Sequence, residues 1–171
     1  MRGVDRAELQ ALQKPLKDRY RKEPGAALIV LRAQGRLDEE KIACKVDTGR
    51  QLVEAGLHAA TGGTGALACS GDMLLEALVA CAGVTLRSVA TSMELDVAGS
   101  VHAEGDLDFR GTLGVDREAP VGFAAIRLRF ELASDASEEE MAKLIERTER
   151  YCVVFQTLAG GVPVELSYST S

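Results

Sequence analysis

Apolar and polar positions first alternate with helical spacing near the start of the chain. Apolar side chains recur three or four positions apart, which predicts an amphipathic helix over residues 5–21 that ends at Pro24 and Gly25. The apolar positions are Leu9, Leu12, Leu16 and Tyr20. The polar face carries acids as well as bases, so we expect this helix to pack on the body or on a second subunit rather than on a membrane.

The most apolar part of the chain runs from residue 72 to residue 95 and predicts a long helix. Apolar residues surround this helix on nearly all sides until Arg87, which is typical of a helix in the centre of a fold. Ser70 or Asp72 is the expected N-terminal cap. The longest apolar stretch, residues 73–86, is interrupted by Glu76, is followed by Arg87 and is shorter than the ~20 residues that cross a bilayer, so we expect a buried helix.

Short runs that alternate apolar and polar residues, or are rich in β-branched residues, predict strands around this helix. The predicted strands cover residues 26–32, 41–47, 51–54, 97–107, 123–132 and 162–168. The first two form a hairpin about a turn at 34–36, and Ser137 caps a helix within residues 134–150. The order predicts an α+β fold with antiparallel sheets packed around the central helix, as one domain (25–171) after a helical extension (1–24).

Composition and charge exclude several classes of function. The 171 residues carry a net charge of -6, which argues against nucleic acid as the main partner because phosphate binding needs a concentrated basic surface. The first twenty residues lack the apolar segment of a secretory signal, so we expect a cytoplasmic protein without a membrane partner. Four cysteines without a CxxC pair and only two histidines give no metal-site pattern, and we expect neither a metal nor a cofactor.

A loop rich in glycine and small residues, 58–71, precedes the central helix. Such a loop lets the backbone approach another group closely. It lacks the Lys-Ser/Thr ending of a phosphate loop, and it does not follow a clear strand as a dinucleotide-binding loop does. Nucleotide binding is therefore not expected here.

Two cysteine segments carry a resemblance to a known family. The run SGDMLLEALVAC, which ends at Cys81 after a Gly-Gly-x-Gly loop, resembles the central helix of the OsmC/Ohr family with its first cysteine. The run CVVFQTL, which begins at Cys152 and is followed by GVPV, resembles the segment of the family's second cysteine. The resemblance spans residues 26–168, with both segments in the family's order.

The resemblance implies an intertwined homodimer and a thiol-dependent peroxidase that acts on organic hydroperoxides or hydrogen peroxide. In that family the first cysteine, matched by Cys81, attacks the peroxide as a thiolate and becomes a sulfenic acid. The second cysteine, matched by Cys152, condenses with it to a disulfide. An external dithiol, of the lipoyl type or a small one, then reduces the disulfide.

The chain departs from the family at the groups that assist the first cysteine. The family uses an Arg of the early hairpin, for which Arg36 is the expected residue and Arg32 and Arg50 are alternatives. The family's Glu before the helix falls at Gly71, and Asp72 either replaces it or only caps the helix. Val153 stands where the family usually has a Pro after the second cysteine.

A second function from another class also fits these residues. A non-catalytic relative would bind a small hydrophobic ligand in the dimer cavity, with its thiols buried and inert. We expect Cys44 to be a core residue, and His58 and His102 to be surface or ordinary structural residues. Cys69 lies just before the helix, where a thiol pKa is often lowered, and could be a third redox thiol or a structural residue.

Overall fold

The computed structural model describes residues 6–37, 44–46, 55–63, 65 and 68–170. Within these ranges the helices are α1 (Arg6–Lys22), α2 (Ser70–Ser92), α3 (Phe109–Thr112), α4 (Glu138–Tyr151) and α5 (Val153–Gly160). The strands are β1 (Leu28–Leu37), β2 (Cys44–Val46), β3 (Ala55–Gly56), β4 (Ala68–Cys69), β5 (Ala98–Asp108) and β6 (Phe123–Ala133). The predicted α+β class is confirmed. The predicted strand 51–54 and Arg50 lie outside the described residues.

A four-stranded antiparallel sheet in the order β2-β1-β5-β6 forms one layer of the fold. The predicted hairpin is present, but the predicted turn at 34–36 is wrong, because β1 continues through those residues to Leu37. Gly35 pairs with Val46 on one side and with Val101 on the other. Backbone hydrogen bonding to two neighbouring strands therefore holds this glycine in the sheet.

The helix α2 packs across this sheet and forms the centre of the core. Its buried face faces Val101 and Ala103 of β5 and Leu144 of α4. The buried residues of α2 are Leu75, Leu78, Val79, Ala82, Gly83, Leu86 and Ala90. The predicted central helix is thus confirmed, since one of its faces supplies much of the protein's buried apolar surface.

The start of α2 differs from the prediction. Cys69 is the N-cap residue, without a hydrogen bond from its side chain, and Ser70 and Asp72 already lie in the first turn. The helix has 23 residues, so it is longer than the apolar stretch at its centre, and by length and composition it is sufficient to cross a bilayer. The core helix of a soluble protein meets the same criterion, and in this fold α2 packs on the sheet and on α4.

The helix α1 packs on the body of its own chain. Tyr20 is 2% exposed, contacts the apolar cluster of Ala27 and Phe109, and donates a hydrogen bond of 2.7 Å to the carbonyl oxygen of Ala60. Ala60 belongs to a short 3-10 helix, Ala59–Thr61. The predicted helix is confirmed, and the division at residue 24 stays a prediction.

The two elements after β6 follow the sequence pattern in part. The helix α4 begins with a capping box, in which Ser137 accepts from the Glu140 N–H and the Glu140 carboxylate accepts from the Ser137 N–H. The predicted closing strand is wrong, since residues 162–168 form no strand in this chain. Val164, Leu166 and Tyr168 are 88 to 89% exposed. Alternation alone did not make a strand here, because no neighbouring strand of the described chain pairs with this segment.

Candidate active site

Cys81 and Cys152 come together although they are far apart in sequence. Cys81 lies in the middle of α2 and is half-buried, whereas Cys152 lies between α4 and α5 and is 1% exposed. Cys81 packs against the core cluster that contains Cys152, the two thiols interact, and neither forms a disulfide. The structure therefore places side by side the two thiols that the sequence singled out.

Two helix ends determine the position of Cys152. Cys152 is the C-cap residue of α4 and also the N-cap residue of α5. Its N–H donates to the Thr148 carbonyl oxygen at 2.9 Å, and its own carbonyl oxygen accepts from the Gln156 N–H at 2.9 Å. The backbone at this cysteine is therefore fixed from both sides, which sets the direction of its thiol.

The surroundings of Cys152 keep this thiol protonated at neutral pH. Burial raises the pKa of Cys152 to about 11, and its hydrogen bond and charge interaction with Cys81 act in the same direction. The backbone N–H groups of Phe155 and Val154 lower the pKa of Cys152 but do not outweigh burial. Repulsion between two adjacent thiolates thus adds to the effect of burial on the Cys152 thiol.

An apolar cavity of about 160 Å³ reaches Cys152 from inside the fold, and we call it the thiol cavity. Its lining residues are Ala82, Leu128, Phe130, Ile145, Thr148, Glu149, Cys152 and Phe155. Of these lining residues only Glu149 is charged, and it is exposed at the edge. Cys152 is among the lining residues of this cavity, whereas Cys81 is not.

A second apolar depression of about 360 Å³ lies between β6, α2 and α5, and we call it the β6 groove. It shares Leu128 and Phe155 with the thiol cavity. Phe123 forms part of its wall and packs directly over Gly105 of β5, where a side chain would collide with the aromatic ring. The thiol cavity and the β6 groove together give the site a mostly apolar surround.

The other side of Cys81 faces away from the core. Leu74, Ala77 and Val84 lie at helical spacing around Cys81 on the outward face of α2 and are exposed, Leu74 by 37% and Val84 by 39%. We call these three residues the outer stripe. The first cysteine is thus approached from the outer stripe, and the second from the thiol cavity.

The predicted arginine partners of Cys81 lie elsewhere in the fold. Arg36 is a β1 residue that pairs with Ser100 of β5, and Arg32 pairs with Glu104. Ser100 and Glu104 alternate with the buried Val101 and Ala103 that face α2. Paired positions share a sheet face, so the register places both arginine positions on the face away from α2. An arginine role at Cys81 stays a prediction.

Asp72 lies near the start of α2, nine positions before Cys81 and thus about 13 Å along the helix axis, by the usual rise per residue. It is half-buried, and burial raises its pKa while the nearby His58 lowers it. Burial, and then repulsion by Asp72, raise the pKa of Glu76 one turn later. Within one chain the structure does not bring Asp72 to Cys81, so a catalytic role of Asp72 also stays a prediction.

The other candidate residues, His58, Cys69 and His102, pack against or hydrogen-bond to neighbouring residues of the fold. His58 stacks on Phe109 with ring centroids 4.9 Å apart, and its Nδ1 accepts from the Ala60 N–H at 3.0 Å. Cys69 is half-buried against the core cluster. His102 contacts the Ser100 hydroxyl through Nε2 at 2.8 Å. The side chain of Cys44 lies outside the described residues. Over the described ranges, no three His, Cys, Asp or Glu residues are grouped to hold a metal ion.

Three residues at the site were missed by the sequence reasoning. Phe155 joins the thiol cavity to the β6 groove, and Thr148 and Glu149 form part of the cavity wall. Thr148 is 1% exposed, and its hydroxyl donates to the Leu144 carbonyl oxygen at 2.7 Å. Thr148 and Glu149 lie four and three positions before Cys152, which is the spacing that places side chains near a residue at the end of a helix.

The chain resembles known proteins in both structure and sequence. An OsmC-like hydroperoxide resistance protein from Jannaschia sp. CCS1 has a similar solved structure, with a TM-score of 0.55 and 17% sequence identity. The similarity covers 85% of this chain and 94% of that chain. None of the curated proteins compared with the chain matches it. The sequence model described as OsmC-like protein matches residues 63–167, which is more than half of the chain and includes both cysteines. The protein therefore belongs to the OsmC family.

Proposed function

We propose that the protein is a thiol-dependent peroxidase that reduces organic hydroperoxides, or hydrogen peroxide, through Cys81 and Cys152. The observation that carries this proposal is the proximity of the two thiols, since Cys81 packs against the core cluster that contains Cys152 and interacts with the Cys152 thiol. Membership of the OsmC family and the name of the Jannaschia neighbour, a hydroperoxide resistance protein, support a role in peroxide resistance. We also propose that it acts in the cytoplasm.

The reaction assigns a different role to each sulfur. The Cys81 thiolate attacks one peroxide oxygen, the O–O bond breaks, and the alkoxide takes a proton and leaves as an alcohol. The Cys152 thiol then attacks the resulting Cys81 sulfenic acid, the S–O bond breaks, and the hydroxyl group leaves as water with the thiol proton. One hydroperoxide and two thiols thereby give one alcohol, one water and one disulfide.

The environments of the two thiols favour this assignment. A nucleophile must be ionised and reached by the peroxide, and Cys81 is the more accessible of the two. Cys152 is buried and has a raised pKa, which suits a thiol that waits in its protonated form for the sulfenic acid. The apolar surround of the site suits an alkyl group on the peroxide.

The proposal includes a homodimer. The outer stripe leaves apolar residues of the central helix exposed, and residues 162–168 expose Val164, Leu166 and Tyr168. Uncovered apolar surface of this kind is typical of an interface with another chain.

The dimer is tested by light scattering on the wild type and on Val84→Lys. We expect a dimer for the wild type and a shift toward monomer for the variant, because a lysine on the outer stripe would place a charge in the interface. Ala142→Lys, at an exposed position of α4 away from the outer stripe, is the matched control. A wild-type monomer at all concentrations would contradict the homodimer.

The peroxidase is tested by adding one equivalent of cumene hydroperoxide to the reduced protein. We expect rapid loss of two thiols, a Cys81–Cys152 disulfide in the peptide map, and no gain of oxygen in the intact mass. The control is the same reaction after alkylation of the thiols. Absence of reaction over hours, or oxidation of Cys69 alone, would contradict the proposal.

The β6 groove favours one alternative function, the binding of a small hydrophobic ligand without catalysis. Its volume of about 360 Å³ falls within the usual range of ligand pockets, and the residues that line it are apolar. Under this alternative the thiols would not react with the hydroperoxide. A fluorescent fatty acid would still bind, and Leu158→Arg would abolish its binding.

A further inference from the structure

The helices α4 and α5 meet without a connecting loop. Cys152 stands alone between Tyr151, where α4 ends, and Val153, where α5 begins. Its backbone is extended, with φ −72° and ψ 103°, so the chain leaves its helical course at this one residue. These two torsion angles relate the axes of the two helices. Any group that fixes the angle between α4 and α5 therefore also fixes the backbone that carries the Cys152 thiol.

Gln156 connects the two helices across this junction. Its side-chain Nε2 donates to the Glu149 carbonyl oxygen in the last turn of α4 at 2.9 Å. Its backbone N–H donates to the Cys152 carbonyl oxygen, also at 2.9 Å. The last carbonyl groups of a helix, that of Glu149 among them, have no partner within the helix. The Gln156 amide therefore supplies a partner that α4 itself does not provide, and it does so from α5.

Apolar packing holds α5 from the side of the core. Val154, Phe155 and Leu158 are half-buried and pack against the core cluster. No residue of this eight-residue helix is fully buried, and helices of this length are marginal on their own. Gln156 is exposed, so its hydrogen bond to α4 lies on the solvent side of the same helix. The orientation of α5 thus depends on this bond as well as on the apolar contacts.

Resting on the peroxidase function proposed above, we infer that Gln156 is a positioning residue that holds the Cys152 thiol where it meets the Cys81 sulfenic acid. Burial raises the pKa of Cys152, so its thiol is a weak nucleophile at neutral pH. Its reaction therefore depends on proximity, because a group that is held in place reacts at an effective concentration far above that of a free thiol. A small rotation of α5 would remove this advantage.

Two reactions of the Cys81 sulfenic acid compete, and the position of Cys152 decides between them. In the first, the Cys152 sulfur bonds to the Cys81 sulfur, and the hydroxyl group leaves as water with the thiol proton. In the second, another hydroperoxide transfers one oxygen atom to the Cys81 sulfur, which becomes a sulfinic acid, and the peroxide leaves as an alcohol. Only the second reaction accelerates with peroxide concentration. Displacement of Cys152 therefore makes the protein more sensitive to over-oxidation.

Three substitutions separate the donated hydrogen bond from the bulk of the side chain. Gln156→Met keeps the length and the helix propensity of glutamine but removes the N–H donor. Gln156→Arg carries an Nε–H at the same number of bonds from the backbone as the glutamine Nε2, so it retains a donor. Thr157→Met introduces the same side chain at the next exposed position of α5 and is the matched control.

The competition is measured by the intact mass of each reduced protein after treatment with increasing cumene hydroperoxide. Gln156→Met should reach half over-oxidation at a peroxide concentration about threefold lower than the wild type, which is the order of effect expected from one neutral hydrogen bond. The rate of the first peroxide consumption should not change, because that step uses the Cys81 thiolate. Gln156→Arg and Thr157→Met should stay close to the wild type.

Three results of this experiment would overturn the inference. The first is an unchanged midpoint of over-oxidation in Gln156→Met. The second is an equal shift in Gln156→Arg or in Thr157→Met, which would assign the effect to shape or to α5 in general. The third is a first step slowed as much as the second, which would indicate general damage to the fold rather than a displaced thiol.

A second measurement needs no peroxide. In mixtures of oxidised and reduced dithiothreitol, the equilibrium ratio of disulfide to dithiol in the protein reports the effective concentration of one thiol at the other. We expect this ratio to be about threefold smaller in Gln156→Met than in the wild type, with Gln156→Arg near the wild type. Equal ratios in Gln156→Met and the wild type would overturn the role of Gln156.

The two measurements separate this inference from the peroxidase function. A wild type that forms the disulfide in dithiothreitol mixtures but does not react with cumene hydroperoxide contradicts the peroxidase, and the equilibrium ratio still tests Gln156. A wild type that reacts with the hydroperoxide, and that Gln156→Met matches in both measurements, contradicts only the role of Gln156. Failure of Cys81 and Cys152 to link under either condition overturns both.

Discussion

Cys69 caps the start of α2 and Cys81 lies in its middle, and the surroundings of these two thiols differ. Cys69 is half-buried at the helix start, and the described structure places no second thiol with it. Cys81 lies in mid-helix, where its thiol interacts with that of Cys152. The comparison indicates that a neighbouring thiol, rather than a helix end, determines where disulfide chemistry can occur.

Replacement of the cysteines tests this comparison most strongly. Cys81→Ser should lower hydroperoxide turnover by at least about 100-fold, since serine lacks a comparable nucleophile at neutral pH, whereas Cys69→Ser should change it less than about twofold. Cys152→Ser should allow one reduction and then accumulate oxygen on Cys81. Peroxide consumption and intact mass measure these outcomes. Equal losses in Cys69→Ser and Cys81→Ser would remove the distinction between the two positions.

A second test compares two leucines near the start of α2. Leu78 is 1% exposed and Leu74 is 37% exposed. Leu78→Ala should lower the free energy of unfolding by ~2–5 kcal/mol because it opens a cavity in the core. Leu74→Ala on the outer stripe should lower it by less than ~1 kcal/mol in the monomer. Urea denaturation at low protein concentration measures both, and a large loss for Leu74→Ala would show that the outer stripe is covered.

The pH dependence of stability tests the raised pKa of the buried Cys152 thiol. The pKa of Cys152 in the folded protein is about 11, above the ordinary thiol value of 9.0, so the native state retains a proton that the unfolded chain releases. This contribution to stability is fully present below pH 9 and is lost as the pH rises from 9 toward 11. The melting temperature of the reduced protein should therefore fall more steeply over this pH window in the wild type than in Cys152→Ala. Identical slopes would contradict the raised pKa.

The smallest expected effect lies at the start of α2. Burial raises the pKa of Asp72, so its contribution to stability is greatest below pH 3.8 and decreases as the pH rises through its folded pKa. Asp72→Asn removes this titration, so its melting temperature relative to the wild type should rise between pH 3 and pH 7. Asp135→Asn, at a carboxylate outside α2, serves as the control. If the melting temperature of Asp72→Asn relative to the wild type falls instead, the effects of His58 and the helix dipole on the pKa of Asp72 outweigh the effect of burial.

Much of the fold could be predicted because local pattern and tertiary packing agree. The apolar residues of α2 and the alternation in β5 and β6 each indicate the element that forms. The failures have tertiary causes. Gly35 looks like a turn residue until strands pair on both of its sides, and residues 162–168 look like a strand although the described chain offers them no partner.

The candidate site was predictable only in part. The pairing of Cys81 with Cys152 came from the order of two motifs and could not come from spacing, because contact between distant segments depends on the whole fold. Asp72 was considered either as a substitute for the family's Glu or as a helix cap, and nine residues of helix separate it from Cys81. Glu149 carries no motif and Phe155 was noted only as part of the CVVFQTL run, and their place at the cavity is visible only once α4 and α5 meet at Cys152.

Because Cys152 is the cap of two helices at once, oxidation of the site would affect more than its redox state. A Cys81–Cys152 disulfide would tie the central helix to both α4 and α5 and close a loop of 71 residues, the difference between the two positions. Loop closure of this length restricts the unfolded chain and is expected to stabilise the folded one by roughly 4 kcal/mol. The oxidised protein would then resist heat and proteases better than the reduced one, and resistance to proteolysis would record exposure to peroxide.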